Sequence, residues 1–217
     1  MKRRDFSVGL AGFSVLPGLV LAQGGPIEGR QYQSLSQRLP VVPGKIEVVE
    51  FFWYGCPHCY AFEPVLEAWV KQLPPDVAFR RVHVGFRANI KLHQRLFYAL
   101  EAMGRESELR PAIFNAFHRE RLDLDDEKAI VALMSRLGVD AAKFKDAFNS
   151  FGVQSKSMQA GKLSEGYRID GVPALGIAGR FLTAPSQAGT QGQSEVAQGQ
   201  QALIVADFLI KRARNNS

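Results

Sequence analysis

The chain has 217 residues, 46% of them hydrophobic, with only two cysteines and a formal charge of +6. That length permits one domain, or one domain carrying an insertion, with enough apolar side chain for a full core. Two cysteines exclude a disulfide-stapled scaffold, and scattered basic residues without an RNA- or DNA-binding motif read as solvated surface rather than a nucleic-acid footprint.

Residues 1–22 read as a cleavable export signal. Lys2, Arg3 and Arg4 form a charged start, Phe6 to Leu21 is mainly apolar, and Val20-Leu21-Ala22 offers small-residue cleavage. Ser7, Gly9, Gly12, Ser14 and Pro17 make the run too poor for a lasting membrane span, against the alternative of a retained anchor. Arg3-Arg4-Asp5-Phe6 also fits a loose twin-arginine pattern. The residue directly after the cleavage point is Gln23, not cysteine, so no lipid anchor is expected, and loss of the segment lowers the charge from +6 to +4.

Gln23 to Arg30, with three glycines and Pro26, reads as a flexible start to the mature chain of residues 23–217. Tyr32 to Leu39 suggests a short edge strand, and Pro40 and Pro43-Gly44 turn the chain into a buried strand, Ile46 to Trp53. Glu50 lies inside this apolar run, where a charge is costly unless exposed, paired or protonated. Gly55 ends the strand, and Phe62, Val65, Leu66 and Trp69 then recur at helical spacing. Cys56-Pro57-His58-Cys59 therefore stands at a helix start. A thiolate there faces unpaired backbone N–H groups and the positive end of the helix dipole, which lowers its pKa. Pro57 suits the first turn, and a protonated His58 adds a second stabiliser for the same anion. The two-residue spacer lets Cys59 reach Cys56, so the pair can cycle between dithiol and disulfide. Pro64 predicts a kink near residues 61–64, Glu63 reads as an exposed helix-surface residue, and Pro74-Pro75 ends the helix.

Val77 to Val84 reads as a second central strand, with His83 a strand residue rather than a ligand. Arg81 offers a partner for Glu50 or Glu63. A metal site would need three or four converging ligands, and none is expected. From Ile90 to about Gln159 the pattern is helical. Leu92, Leu96, Leu100 and Met103 form one stripe, and Ile113 and Phe117 start another after Pro111. Ile130, Leu133, Met134 and Leu137 follow a cap at Asp125 or Asp126, and Phe144, Ala147, Phe148 and Phe151 follow one at Asp140. Lys156 to Arg168 leads out as a long helix, and Gly171-Val172-Pro173-Ala174 turns into a strand. Ala178-Gly179-Arg180 is a hairpin turn, Ala184 to Gln201 a polar loop, and Val205, Phe208 and Leu209 mark the last helix, with Arg212 and Arg214 at its C-terminal end.

The stretch VVEFFWYGCPHCYAFEP, residues 48–64, resembles the DsbA family of exported thiol oxidases, and weaker similarity extends over most of the chain after about residue 30. The Pro-His spacer is fairly specific, since thioredoxins usually carry Gly-Pro there. The resemblance implies an α/β fold of thioredoxin type, a mixed central sheet flanked by helices and interrupted by an all-helical insertion at about residues 88–160. It also implies a cis Val172–Pro173 bond beside the disulfide, whose backbone pairs with an extended substrate, and a buried Glu50 that relays the Cys59 proton. Many members place lysine where this chain has Arg81. Further expectations are a Cys56–Cys59 disulfide donated to newly exported proteins in the periplasm, no prosthetic group, and reoxidation by a DsbB-like quinone-linked membrane protein.

Two other readings stand beside the oxidase. A disulfide isomerase or reductase shares the fold, but isomerases tend to carry a dimerisation domain, and nothing between Gln23 and Pro43 is long enough to be one. A monomer is therefore expected. A chaperone-like peptide binder with a merely structural cysteine pair is the third reading, separable by loss of redox activity in Cys56→Ser with peptide binding intact.

Overall fold

A computed structural model describes residues 24–215; the expected export signal lies outside them. Its centre is β2 (Ile46–Phe52), seven residues of which all but Ile46 are buried, Glu47 and Glu50 among them. Buried strands of this kind sit inside a sheet, with elements packed on both faces. On one side β2 pairs in parallel with β3 (Val77–His83), a geometry that needs a crossover, supplied by α1 (Pro57–Val70). On the other it pairs antiparallel with β4 (Ala174–Ile177), which forms a hairpin with β5 (Phe181–Thr183). The two-residue edge strand β1 (Gln33–Ser34) closes the order β1-β5-β4-β2-β3. Ala178 and Gly179 both take positive φ in the hairpin turn, at 54° and 61°, the geometry that matches strand twist.

Between β3 and β4 run five helices: α2 (Ala88–Ala102), α3 (Glu106–His118), α4 (Glu127–Arg136), α5 (Ala141–Phe148) and α6 (Phe151–Gly166). Asp126, Asp140 and Ser150 cap the last three by accepting from backbone N–H groups three residues on. The chain ends with a short α7 (Pro185–Ala188) and a long α8 (Glu195–Asn215). Alternation along β2 divides the core. Val48 points into the layer shared with Phe62, Leu66, Leu209 and α8, whereas Val49 and Phe51 point toward Leu96, Leu100, Phe114 and the inserted helices. No helix among the described residues is long and apolar enough to cross a membrane.

Several expectations needed correction. The third helix begins at Glu106, not after Pro111, because Leu109 and Arg110 are buried and Arg110 pairs with Glu106 one turn back, which offsets the bond that Pro111 forfeits. Phe151 is 79% exposed; Ser150 starts a new helix there, and Val153 turns inward in its place. The exit helix accordingly begins at Phe151 and ends at Gly166. The polar stretch 184–201 is largely helical, since its small residues let α8 lie close on α1: a Cβ at Gly199 would stand 2.8 Å from the Phe62 ring. The segment expected to be loose makes a turn, with Gln31 N–H donating to the Ile27 carbonyl at 2.9 Å. α1 remains helical through Pro64.

Tyr167, fully buried at the end of α6, lies flat on β4 where Gly176 leaves room, and its hydroxyl accepts from the Gly179 N–H at 3.0 Å. A Cβ at Gly176 would sit 2.4 Å from that ring. Gly176→Ala is expected to destabilise the protein by about 1–3 kcal/mol in urea unfolding, with Tyr167 displaced; an unchanged midpoint would show that the ring moves aside freely.

Candidate active site

β2 ends at Phe52, and the chain turns through Trp53, Tyr54 and Gly55 to place Cys56 at the head of α1. The turn is held by more than its own backbone. The Cys56 N–H donates to the Trp53 carbonyl at 3.0 Å. Gly55 has no Cβ because one would stand 2.4 Å from the Trp53 indole. The indole Nε1–H donates to His93 Nδ1 of α2 at 2.9 Å, and His93 Nε2 donates to the Leu124 carbonyl at 3.0 Å. The Tyr54 N–H donates to His83 Nε2 at 3.3 Å, and His118 Nε2 of α3 donates to the Tyr54 carbonyl at 2.7 Å. His83, fully buried, has its pKa pushed down to about 3 by burial, and burial also lowers that of His93. His83 and His93 act as neutral struts. Among the described residues no three His, Cys, Asp or Glu side chains converge as metal ligands.

Cys56 is the N-cap residue, with extended φ and ψ of −83° and 116°, and Pro57 occupies the first helical position. Both cysteines are free thiols. Cys56 keeps an exposed edge, whereas Cys59 is completely buried. The Cys56 pKa falls to about 6: the hydrogen bond from the Cys59 thiol contributes most, burial opposes it, and backbone N–H groups of Cys59 and His58 and the charge on His58 add to the lowering. Cys59 moves the other way, well above its ordinary value, through burial, the adjacent Cys56 sulfur and the charge of Glu50. The Cys56 thiol also donates to the Val172 carbonyl at 3.4 Å, and Val172–Pro173 is cis. That loop, with His58, Phe62 and Leu182, lines a groove of about 540 Å³ beside the sulfur. His58 itself is largely exposed, and its Nδ1 contacts the Glu195 carboxylate at the start of α8.

Glu50 lies on the inner side, 1% exposed, so the alternative of a water-facing strand residue does not hold. The β2–β3 register sets it opposite Arg81, whose Nε stands 2.8 Å from its Oε2. The N–H does not point along that line, leaving Glu50 Oε2 without an aligned hydrogen bond. Burial, reinforced by the nearby Glu63, raises the Glu50 pKa to about 8, against the pull of Arg81 and Arg110. Glu63 is not the exposed residue expected from the sequence. It is largely covered between Arg81 and Arg110, because the turn of α1 that follows Cys59 faces β3 and α3 rather than water. The structure thus gathers Cys56, Pro57, His58, Val172 and Pro173 at one surface, with Cys59 and Glu50 behind it. Sequence reading missed His93, His118, Glu195, Glu67, Glu106 and Arg110; of these only the Glu106–Arg110 spacing of one helical turn carried a local signal.

A vicinal dithiol on a strand-to-helix turn, with one reactive and one sealed sulfur beside a cis-proline loop, defines a thioredoxin-fold thiol:disulfide oxidoreductase. The DSBA-like thioredoxin domain model matches residues 47–198, and the chain belongs to that family. A relative from Burkholderia cepacia, named thiol:disulfide interchange protein DsbA, is 42% identical over 192 residues, covering 88% of this chain and 87% of its own. The crystal structure of Pseudomonas aeruginosa DsbA superposes with a TM-score of 0.82 at 38% identity, over 88% of this chain and 96% of that one. The oxidoreductase NmDsbA1 from Neisseria meningitidis gives 0.72 at 25% identity, over 88% and 95%.

The Glu50 carboxyl is raised from its ordinary 4.5 to about 8 in the folded chain. Its contribution to stability is therefore full below pH 4.5 and is lost as pH rises through about 8. Glu50→Gln is expected to flatten the fall in stability of the oxidised protein between about pH 5 and about pH 8, where no thiol titrates. Urea unfolding at the two pH values checks this, and an undiminished fall in the variant would assign it to other groups.

Proposed function

We propose that this protein is an exported oxidase that passes a Cys56–Cys59 disulfide to the thiols of other exported proteins. The observation that carries this reading is the asymmetry of the two sulfurs: Cys56 keeps an exposed edge beside the Val172 carbonyl with its pKa lowered to about 6, while Cys59 is sealed and held protonated. A substrate thiolate attacks Cys56 Sγ, the Cys56–Cys59 bond breaks, and Cys59 takes up a proton. A second substrate thiolate then attacks the substrate sulfur of the mixed disulfide, and Cys56 departs as a thiolate. The substrate loses two electrons and gains a disulfide; the protein gains them as a dithiol. Stabilising the departing thiolate favours the reduced protein and so makes the disulfide a stronger oxidant.

The chain's own residues divide this work. The first turn of α1, opened by Pro57, and the charge of His58 receive the anion on Cys56. Val172 and Pro173 present backbone beside the sulfur, where an extended substrate segment pairs in strand fashion. Glu50 exchanges the proton of Cys59, whose pKa its charge raises. No prosthetic group is required. The signal-like residues 1–22 support residence in the periplasm, and the dithiol is returned to the disulfide by a quinone-linked membrane protein of DsbB type. The protein works as a monomer.

Thermal unfolding of the two redox forms tests the direction of transfer. The reduced form is expected to melt higher, since redox poise and folding stability close one cycle. The folded Cys56 pKa lies below its ordinary 9.0, so its stabilisation is full above pH 9.0 and is lost as pH falls through about 6. The advantage of the dithiol form should accordingly grow from about pH 6 toward about pH 9. A disulfide form that melts higher throughout would make the protein a reductase or its bridge structural.

A further inference from the structure

The polar groups behind Cys59 do not stop at Arg81. Its Nη2 reaches Glu67 Oε1 at 2.6 Å and Glu63 Oε1 at 3.3 Å, both on α1. The same two carboxylates receive Arg110 Nη1 of α3, at 2.7 and 3.4 Å. Arg110, 7% exposed, grips Glu106 with its remaining donors, Nε to Oε1 at 2.9 Å and Nη2 to Oε2 at 2.5 Å. Glu106 Oε1 in turn accepts from the buried Tyr54 hydroxyl at 2.7 Å, two residues before Cys56. The chain of contacts thus leaves the redox site at Glu50 and returns to it at Tyr54, passing through the inserted helices on the way.

We propose that Arg110 is a positioning residue for the thiol chemistry: by clamping Glu63 and Glu67 of α1 to Glu106 of α3, it sets the protonation of Glu50 from within the helical insertion. This rests on the reading of Glu50 as the group that exchanges the Cys59 proton. Four carboxylates, Glu50, Glu63, Glu67 and Glu106, face two guanidiniums, Arg81 and Arg110. Not all four can be charged without leaving negative charge unbalanced in a buried site, so the carboxylates compete for a proton. Both arginines favour the ionised carboxylates. Burial works against it, but Arg81 and Arg110 together hold Glu67 below its usual value, and the more deeply buried Glu50 and Glu63 stay above theirs. Removing Arg110 leaves Arg81 alone against the same negative charge, and Glu50 then keeps its proton to higher pH. In the closing step, the Cys59 proton passes to the Glu50 carboxylate and the Cys59 thiolate attacks Cys56 Sγ. The intramolecular S–S bond forms, and the partner sulfur leaves as a thiolate. A Glu50 already protonated cannot accept that proton, so the step slows at a given pH.

The groups acting on Glu50 are Arg81 from β3, Cys59 and Glu63 from α1, and Arg110 from α3, with Glu67, Glu106 and Tyr54 linked to it through the two arginines; its titration is read directly by carbon-13 NMR of the assigned carboxyl in the oxidised protein. Arg110→Met should raise the Glu50 midpoint by about one pH unit, and Arg110→Lys should restore most of it. Glu106→Gln, which keeps a hydrogen-bonding partner for Tyr54 while deleting a negative charge, should move the midpoint the other way. A merely structural Arg110 would lower the melting temperature in both variants without these opposed shifts. Midpoints unmoved in Arg110→Met and Glu106→Gln would overturn the proposal; should Arg110→Met fail to fold, Glu106→Gln and Arg110→Lys decide it. The pH profile of the closing step in Glu50→Gln separates the two layers. If that profile matches wild type while the Arg110 variants shift the midpoint, Glu50 is not the proton acceptor, and the role of Arg110 in the reaction falls with it.

Discussion

A sulfur standing at the N-terminus of a helix is the feature on which the chemistry of this molecule depends. The first turn of any helix leaves backbone N–H groups without partners, and here Cys56 occupies the capping position. The effect requires that the turn not move. Gly55 lets the Trp53 ring fold against the turn, and His83, His93 and His118 each hold one group of it. Because burial lowers the pKa of His83 and His93, these two struts keep one charge state over the range in which the thiols titrate.

The second constraint is sheet register. Parallel pairing sets Glu50 directly opposite Arg81, and the period of two along β2 keeps Glu50 on the face of Val48, toward α1, where Arg81 also meets Glu63 and Glu67. A slip of one residue would exchange these faces, turning Glu50 into the layer of Val49 and Phe51 and away from Arg81. The ion pair therefore marks the register as much as it tunes the site. Its geometry is incomplete, with Glu50 Oε2 lacking an aligned hydrogen bond, and this fits a carboxyl that releases and recovers a proton better than one fixed as an anion.

What could be read from the sequence follows from how local each signal is. The central strand, the Cys-Pro-His-Cys turn, and the caps at Asp126 and Asp140 depend on neighbours within one turn and were legible. The cis Val172–Pro173 loop was legible only through family resemblance, since spacing alone describes an ordinary turn. Glu63 was misjudged because its partners, Arg81 and Arg110, lie 18 and 47 residues away. The stretch 184–201 was misjudged for a different reason. Gly199 and Ala202 are small because α8 presses close on α1, yet small and polar residues in sequence are also the mark of a linker.

The inserted helices touch the redox turn at several separate places: His93 on Trp53, His118 on the Tyr54 carbonyl, Glu106 on the Tyr54 hydroxyl, and Arg110 on the carboxylates of α1. The insertion is thus part of the wall of the site rather than a cap laid over it. This divides the two sulfurs between two environments. Cys56 looks outward to the Val172 carbonyl and the groove, in contact with whatever chain binds there. Cys59 looks inward, where burial and the charge of Glu50 keep its proton in place. An exchange that needs a good leaving group on one sulfur and a protected thiol on the other requires such a partition, and a fold that closes both sides of the turn supplies it.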